Sequence, residues 1–252
     1  MNANLITAAV LVIGDEILSG RTKDKNVGFI ADYLTQVGID LKEVRIVSDD
    51  MDAIVEAVND LRARWTYVFT TGGIGPTHDD ITADAIAAAF GVGIDHDPRA
   101  MAILEEHYAK MEGAEFNEAR KRMARIPFTA DLIKNKVSSA PGFRLENVHV
   151  MAGVPSVMQA MMDEIIPTLK TNSQIESETV DTGLGEGLVA GALSDLQKAH
   201  PLVVIGSYPY IKDEIFATNI VLRSRDKAAL KAAVDAVHAL VADLKGQKQA
   251  QF

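Results

Sequence analysis

The chain has 252 residues, a formal net charge of −10 at pH 7, and 48% hydrophobic and 24% charged residues. These values are ordinary for a globular protein with one large domain or two smaller ones. The acidic balance argues against broad binding to nucleic acids or to anionic membranes, because both need a basic surface. The chain has no cysteine, which excludes disulfides, thiolate catalysis and cysteine-ligated zinc and fits a cytoplasmic location.

The first apolar run, residues 8–13, is too short for a signal-peptide core or a membrane span, and it predicts a buried first strand. Helical and extended patterns then alternate along the chain. They predict a helix over 26–37, a strand over 39–47, a helix over 50–64, a strand over 67–69 and a helix over 83–90. This alternation predicts a parallel sheet with helices on both faces.

The pattern after residue 90 is less regular. It predicts a helix that begins at Pro98, a basic helix over 117–125, short strands at 132–133 and 148–151, and a helix from 157 to about 169. We place a domain boundary between residues 171 and 172, inside a polar segment. The remainder predicts strands over 175–182, 202–207 and 215–223 and helices over 186–199 and 227–244. The expected fold class is therefore α/β over 1–171, followed by a small α+β module over 172–252.

The most informative segment is the glycine-rich stretch 70–82, which stands between a predicted strand and a predicted helix. Gly72, Gly73 and Gly75 let backbone amides approach an anion, because no Cβ stands in the way. The helix that follows adds unpaired N–H groups and a positive dipole end. Two adjacent acids in the same loop offer oxygen ligands for a cation. The segment therefore predicts a metal-assisted binding loop for a phosphorylated ligand.

A plain connection is the alternative interpretation of this segment. Asp79, Asp80 and Thr82 are residue types that cap helices, so capping alone explains one or two of them. It does not explain the glycines before them. His78, inside the same loop, is the histidine that we expect to bind phosphate or to transfer a proton.

Further carboxylates follow the first two predicted strands. Glu16 and Asp24 come after the first strand, and Asp49 and Asp50 come after the second. In an open parallel sheet, ligands bind at the carboxyl ends of the strands. We expect Glu16, Asp24 and Asp80 to hold Mg²⁺ or a similar hard cation. We expect Asp49 and Asp50 to cap the next helix.

Four cations, Arg120, Lys121, Arg122 and Arg125, crowd the predicted basic helix. Such crowding suggests a polyanion partner, and a solvated surface is the alternative that we favour for most of them. The carboxy-terminal module has neither a Gly-x-x-Gly between helices nor a basic stripe. Nucleic-acid binding is therefore not expected.

Several motifs together resemble a known family. They are Gly-Asp-Glu-Ile-Leu at 14–18, Asp-Lys-Asn at 24–26, the glycine-rich segment at 72–82, Ala-Pro-Gly-Phe at 140–143 and Gly-Val-Pro at 153–155. Over about residues 7–170 the chain resembles the amino-terminal region of the competence/damage-inducible protein A family. That region belongs to the molybdopterin-binding superfamily shared with the Mog and MoaB proteins. The module after 172 resembles the family's connecting domain, in a form without the carboxy-terminal deamidase domain.

The resemblance implies a three-layer α/β/α fold and metal-dependent hydrolysis of ADP-ribose to AMP and ribose 5-phosphate. The catalytic residues would be Asp80, Asp79 and Glu16, with Mg²⁺, Mn²⁺, Co²⁺ or Ni²⁺ as the cofactor. Two alternatives stay open. One is adenylylation of molybdopterin, as in the Mog branch, whose paired aspartates would correspond to Asp49 or Asp50 and to one of Asp79 and Asp80. The other is a non-catalytic protein that binds a pterin or a nucleotide.

The resemblance also implies the contacts of a small phosphorylated nucleotide or pterin. These are Gly72, Gly73, Gly75, Thr77, His78, Thr82, Arg122, Pro141, Gly142, Gly153 and Pro155. The chain departs from the family pattern at Met123, Ser138 and Val157, which lie in segments expected to shape the pocket. By analogy with this fold we expect a dimer or a trimer, and no membrane partner.

Overall fold

The structure, a computed structural model, describes residues 5–111, 113–212 and 215–249. Contacts between Cα atoms separate two units, Met1–Asn172 and Ser173–Phe252. The strands of the first unit are β1 (Thr7–Ile13), β2 (Asp40–Val47), β3 (Tyr67–Thr71), β4 (Ile94–His96), β5 (Arg125–Pro127), β6 (Asp131–Ile133), β7 (Gly142–Leu145) and β8 (Val148–Met151). Its α-helices are α1 (Asp15–Leu18), α2 (Asn26–Gln36), α3 (Met51–Arg64), α4 (Thr82–Phe90), α5 (Pro98–Ala109), α6 (Glu118–Lys121) and α7 (Pro155–Ile165).

Six of these strands form one sheet in the order β2-β1-β3-β8-β7-β6. The pairs β1/β2, β1/β3 and β3/β8 are parallel, whereas β7/β8 and β6/β7 are antiparallel. β1 lies inside the sheet, which explains why its sequence is an unbroken apolar run. The prediction of a mostly parallel sheet is confirmed.

Alternate residues of β1 face two different helical layers. Ala9 and Leu11 belong to a core that includes residues of α3, α4 and α5. Val10 and Val12 belong to a second core, with residues of α2 and α7. A strand buried on both sides in this way produces the predicted three-layer α/β/α arrangement.

The chain changes direction across the sheet at β1. It passes from β1 to β2 on one side and then returns to form β3 on the other side, so the carboxyl ends of β1 and β3 meet at a topological switch point. Gly14, directly after β1, donates its N–H to the carbonyl of Val47 at 3.1 Å. Gly72, directly after β3, donates to the carbonyl of Met151 at 3.1 Å. The loops that follow β1, β2, β3 and β8 are therefore held at one edge.

The prediction of a helix over 117–125 is wrong for most of that segment. α6 ends at Lys121, a 3₁₀ turn spans Arg122–Ala124, and β5 begins at Arg125. β5 pairs antiparallel with β4, and the carbonyl of Ala124 accepts from the N–H of Asp97 at 2.8 Å. Pairing with β4, a short strand that local sequence pattern does not reveal, overrides the helical preference of the basic run.

The second unit contains β9 (Glu176–Asp181), α8 (Glu186–Ala199), β10 (Val204–Lys212), β11 (Ile215–Ser224) and α9 (Lys227–Gln249). Its strands form an antiparallel sheet in the order β10-β11-β9. Buried side chains of β9, β11 and α9 form its core, among them Val180, Ile220 and Val237. The predicted α+β module is confirmed. No α-helix in the described residues of either unit is long and apolar enough to cross a membrane.

Candidate ligand-binding site

The segment between β3 and α4, residues 72–81, is called the glycine loop below. Gly72 has φ 103° and Gly73 has φ 68°, a region that side-chain-bearing residues rarely adopt. A Cβ on Gly72 would collide with the carbonyl of Ile13, and one on Gly73 would collide with the hydroxyl of Thr82. The glycines are therefore required by both backbone conformation and close packing.

Thr82 holds the glycine loop from beneath. Its side chain is fully buried, and its hydroxyl donates to the carbonyl of Gly72 at 3.0 Å. Its N–H donates to the carbonyl of Gly73, also at 3.0 Å. The predicted ligand contact by Thr82 is thus corrected, because a buried and bonded hydroxyl fixes the loop and does not reach a ligand.

A cleft of about 580 Å³ lies along the glycine loop. Eight of the residues predicted for the site line it: Glu16, Asp79, Asp80, Gly72, Gly73, Gly75, Gly153 and Pro155. Thr77 and His78 are exposed and are not among the cleft-lining residues of the described chain. The hydroxyl of Thr77 donates to the carboxylate of Asp80. The switch point thus brings together most of the loop residues expected from the sequence.

Asp49 also lines the cleft, and there the sequence prediction is wrong. Its carboxylate accepts from the N–H of Asp15 at 2.9 Å. Burial raises the pKa of Asp49, and the nearby charges of Asp15, Glu16 and Asp79 raise it further against the effect of that hydrogen bond. Asp50 caps α3 as predicted, because its carboxylate accepts from the N–H of Ala53 at 2.9 Å.

Two of the three residues expected to bind a metal, Asp24 and Glu16, make different contacts. Asp24 accepts from the N–H of Val27 at 2.9 Å, at the start of α2. The carboxylate of Glu16 lies against Gly14, where an added Cβ would be 2.5 Å from Oε2. In the described part of the chain, no three acidic or imidazole groups are arranged to hold a metal ion. The metal site therefore stays a prediction.

A smaller pocket adjoins the glycine loop and contains two more of the predicted residues, Arg122 and Pro141. Arg122 donates from Nη2 to the backbone carbonyl of Asp80 at 3.3 Å and lies 3.8 Å from a carboxylate oxygen of Asp84. Arg125 also pairs with Asp84. The side chain of Arg122 thus holds the glycine loop through the backbone carbonyl of Asp80.

Gly142 has a packing role, and its predicted ligand contact stays a prediction. It is buried as the first residue of β7, and a Cβ there would collide with the carbonyl of Val150. Gly153 is placed by Asn26, whose side-chain amide donates to its carbonyl at 2.8 Å. An added Cβ on Gly153 would come within 3.3 Å of the Cα of Gly72, so the two loops approach closely.

Sequence reasoning placed Met123 in a segment that shapes the pocket, but it missed the other two residues of the apolar wall of the cleft, Ile74 and Tyr108. Ile74, Tyr108 and Met123 line it and also pack against one of the two central cores. Tyr108 lies in the last turn of α5. It shares the helical spacing of Leu104, which is fully buried, so the pattern alone predicts a core position. Only the position of α5 beside the glycine loop reveals its second role.

Two family patterns match the chain. The family described as "Probable molybdopterin binding domain" matches residues 9–171, and the family described as "FAD synthase, middle domain" matches residues 174–248. The "Probable FAD synthase" of Caenorhabditis elegans is 32% identical over 94% of this chain and 50% of its own length. The "CinA-like protein" of Geobacter metallireducens is 34% identical over 94% of this chain and 59% of its own length. The chain thus spans half of the first of these two relatives and 59% of the second.

A comparison with solved structures gives a match that is similar in both sequence and fold. The protein CinA from Thermoplasma acidophilum, described as having unknown function, is 32% identical with a TM-score of 0.61. The similarity covers 66% of this chain and 99% of that chain. It confirms the resemblance to the competence/damage-inducible protein A branch. The molybdopterin-binding pattern matches more than half of the residues of this chain. The chain therefore belongs to the family of probable molybdopterin-binding domains.

Proposed function

We propose that the cleft binds a pterin or a nucleotide and holds its phosphate group at the glycine loop. The observation that carries the proposal is the conformation of Gly72 and Gly73, which turns the backbone at the end of β3 with no side chain in the way. The amino terminus of α4 follows directly and favours an anion. The description of the family that matches the first unit and the name of the FAD synthase relative support a pterin or a nucleotide as the ligand.

The acidic lining of the cleft bears on how a phosphate could bind. Glu16, Asp49, Asp79 and Asp80 line the same cleft, and their charges repel an anion. Carboxylate oxygens can bind Mg²⁺, Mn²⁺, Co²⁺ or Ni²⁺, and they do not select one of these cations strongly. Mg²⁺ commonly takes one or two carboxylates together with phosphate oxygens. We therefore propose that Glu16, Asp79 and Asp80 hold a divalent cation that neutralises the ligand's phosphate.

Calorimetric titration tests this binding function. The purified protein is titrated with ADP-ribose, AMP and a phosphorylated pterin, with Mg²⁺ and with EDTA. We expect saturable binding that is weaker in EDTA and is lost in Gly73→Ala, because the added Cβ displaces the loop. Binding of all three ligands that is unchanged in Gly73→Ala would remove the glycine loop from the site.

Hydrolysis of ADP-ribose to AMP and ribose 5-phosphate is the activity that we propose for this site. Asp49 supplies the general base in this proposal, because its carboxylate lines the cleft, is held by the N–H of Asp15 and has a pKa that burial raises. In this mechanism the oxygen of water attacks one phosphorus and the bond from that phosphorus to the bridging oxygen breaks. The water proton passes to Asp49, and the bridging oxygen leaves with the other phosphate.

Nucleotidyl transfer is the competing activity. The name of the FAD synthase relative and the description of the molybdopterin-binding family support it, and a phosphorylated flavin or pterin would then replace water as the acceptor. AMP release from ADP-ribose, FAD and NAD, scanned over Mg²⁺, Mn²⁺, Co²⁺ and Ni²⁺, separates the two. Metal-dependent release that disappears in Asp49→Asn supports hydrolysis. Tight binding of one of these ligands without release of AMP favours nucleotidyl transfer or a non-catalytic binding protein.

A further inference from the structure

Tyr108 occupies a supported position at the wall of the cleft. Its ring stacks on Phe116, with centroids 5.6 Å apart and an interplanar angle of 18°. The guanidinium carbon of Arg120 lies 4.4 Å from the centroid of the Tyr108 ring. His107 meets the ring edge-on at 5.2 Å. Three neighbouring side chains thus fix the orientation of one aromatic side chain that lines the cleft.

The supporting residues are themselves tied down. Arg120 donates from its guanidinium to the carbonyl of Glu115, and its N–H donates to the side chain of Asn117 at 3.1 Å. Phe116 packs against the same core as Tyr108. A ring held in this way loses little conformational freedom when a ligand arrives, so more of the contact energy appears as affinity.

Tyr108 shares the cleft with two apolar neighbours of suitable shape. Met123 brings a polarizable thioether, which makes favourable contacts with aromatic rings. Ile74 belongs to the glycine loop itself, so the apolar wall continues into the predicted phosphate site. One surface of the cleft therefore carries an aromatic ring, a thioether and an aliphatic side chain, whereas backbone amides and carboxylates lie in the loops after β1, β2 and β3.

We propose that Tyr108 and Met123 form the binding wall for the flat nitrogen heterocycle of the ligand, a purine or a pterin. The proposal rests on the proposed function, since it assumes that the ligand's phosphate lies at the glycine loop. It deepens that function by dividing the cleft into a phosphate end and a ring end. Selectivity for a ligand that carries a heterocycle then comes from the wall, and the loop alone does not supply it.

Paired titrations test the ring end separately from the phosphate end. ADP and inorganic pyrophosphate are each titrated, with Mg²⁺, into the wild-type protein and into Tyr108→Leu. Both ligands carry a diphosphate, and only ADP carries a ring. We expect Tyr108→Leu to bind ADP about tenfold more weakly, as loss of a base–aromatic contact predicts. We expect its affinity for pyrophosphate to be unchanged. A phosphorylated pterin in place of ADP shows which heterocycle the wall prefers.

Two further variants keep the test decisive. Tyr108→Phe keeps the ring and should bind ADP as the wild type does. If Tyr108→Phe loses as much affinity for ADP as Tyr108→Leu does, the contact is made by the hydroxyl and the proposal is overturned. Tyr33→Leu is the matched control, because Tyr33 lies on α2 and bonds to Asp163 at 2.8 Å. If Tyr108→Leu loses affinity for ADP and for pyrophosphate equally, the proposed ring-binding role of Tyr108 is also overturned. If neither ligand binds the wild type, the proposed function fails, and this inference fails with it.

Discussion

The carboxylate of Asp80 binds Thr77 twice and so closes the glycine loop on itself. One oxygen of Asp80 accepts from the N–H of Thr77 at 2.8 Å and from its hydroxyl at 2.5 Å. The same oxygen would lie only 2.6 Å from a Cβ at Gly75, so this glycine makes room for the carboxylate. Arg122 meanwhile binds the backbone carbonyl of Asp80. Asp80 therefore shapes the loop before it can act on any ligand.

Replacement of Asp80 by alanine should therefore impair binding as well as turnover. The change removes both acceptor contacts to Thr77, and hydrogen bonds to charged groups contribute about 1 kcal/mol or more each, less where they are exposed. We expect affinity for ADP-ribose to fall about tenfold, measured by calorimetry. Thr77→Val should reproduce part of this loss. Full affinity in Asp80→Ala with abolished turnover would show that Asp80 acts in chemistry alone.

A pair of glycine substitutions separates backbone strain from steric contact in the loop. Gly73 and Gly91 have similar φ, 68° and 65°, but a Cβ on Gly91 meets nothing within 4 Å. Gly91→Ala should therefore lower the free energy of unfolding by about 1 kcal/mol through strain alone. Gly73→Ala should cost about 1–3 kcal/mol more, because its Cβ overlaps the hydroxyl of Thr82. Urea denaturation of both variants measures the difference, and equal losses would contradict the steric role of Thr82.

Adjacent acids show where local sequence stops being informative. Asp49 and Asp50 have the same side chain and stand at the same strand–helix junction, so a capping pattern predicts the same role for both. In the structure only Asp50 caps α3. Asp49 faces the end of β1, where the N–H of Asp15 binds it. Which of two neighbouring acids enters the cleft depends on the crossover of the sheet, and no local pattern contains that information.

The strands and helices of the first half of the chain, by contrast, could be predicted from local signals. The apolar run of β1 and the helical spacing in α2 and α3 suffice, because each strongly periodic segment adopts its locally preferred structure. Prediction failed at Arg125, where β5 pairs with β4. It also failed at Tyr108, where one helical face serves both the core and the cleft. Both failures concern pairing between segments that are distant along the chain.

The two acids after β2 should respond differently to substitution. Asp49→Asn keeps an acceptor for the N–H of Asp15 but removes a charge that burial and neighbouring acids disfavour. We expect this variant to have a higher melting temperature and reduced AMP release, the combination typical of a functional group held at a cost in stability. Asp50→Ala should lower the free energy of unfolding by about 1 kcal/mol through loss of the cap and leave release unchanged. A lower melting temperature in Asp49→Asn would contradict the predicted repulsion.

The buried His149 predicts how the stability of the first unit depends on pH. His149 is 2% exposed, and its ring stacks on Phe69 with centroids 5.1 Å apart. Within the described residues, neither ring nitrogen has a hydrogen-bond partner. Burial, helped by the nearby positive charge of Arg144, lowers the pKa of His149 from 6.5 to about 4. The folded protein therefore holds the imidazole neutral in a place that disfavours the imidazolium.

Because the folded pKa lies below the unfolded one, the unfolded chain binds the proton more readily. His149 should thus leave stability unaffected above pH 6.5 and reduce it progressively as the pH falls from 6.5 towards 4. At pH 5 the expected loss is about 2 kcal/mol. His149→Phe keeps a stacked ring and removes the titrating group, so its free energy of unfolding should fall less steeply between pH 7 and pH 5 than that of the wild type. Urea denaturation across this range checks the difference. Parallel pH profiles would mean that the imidazole can be protonated in the folded state.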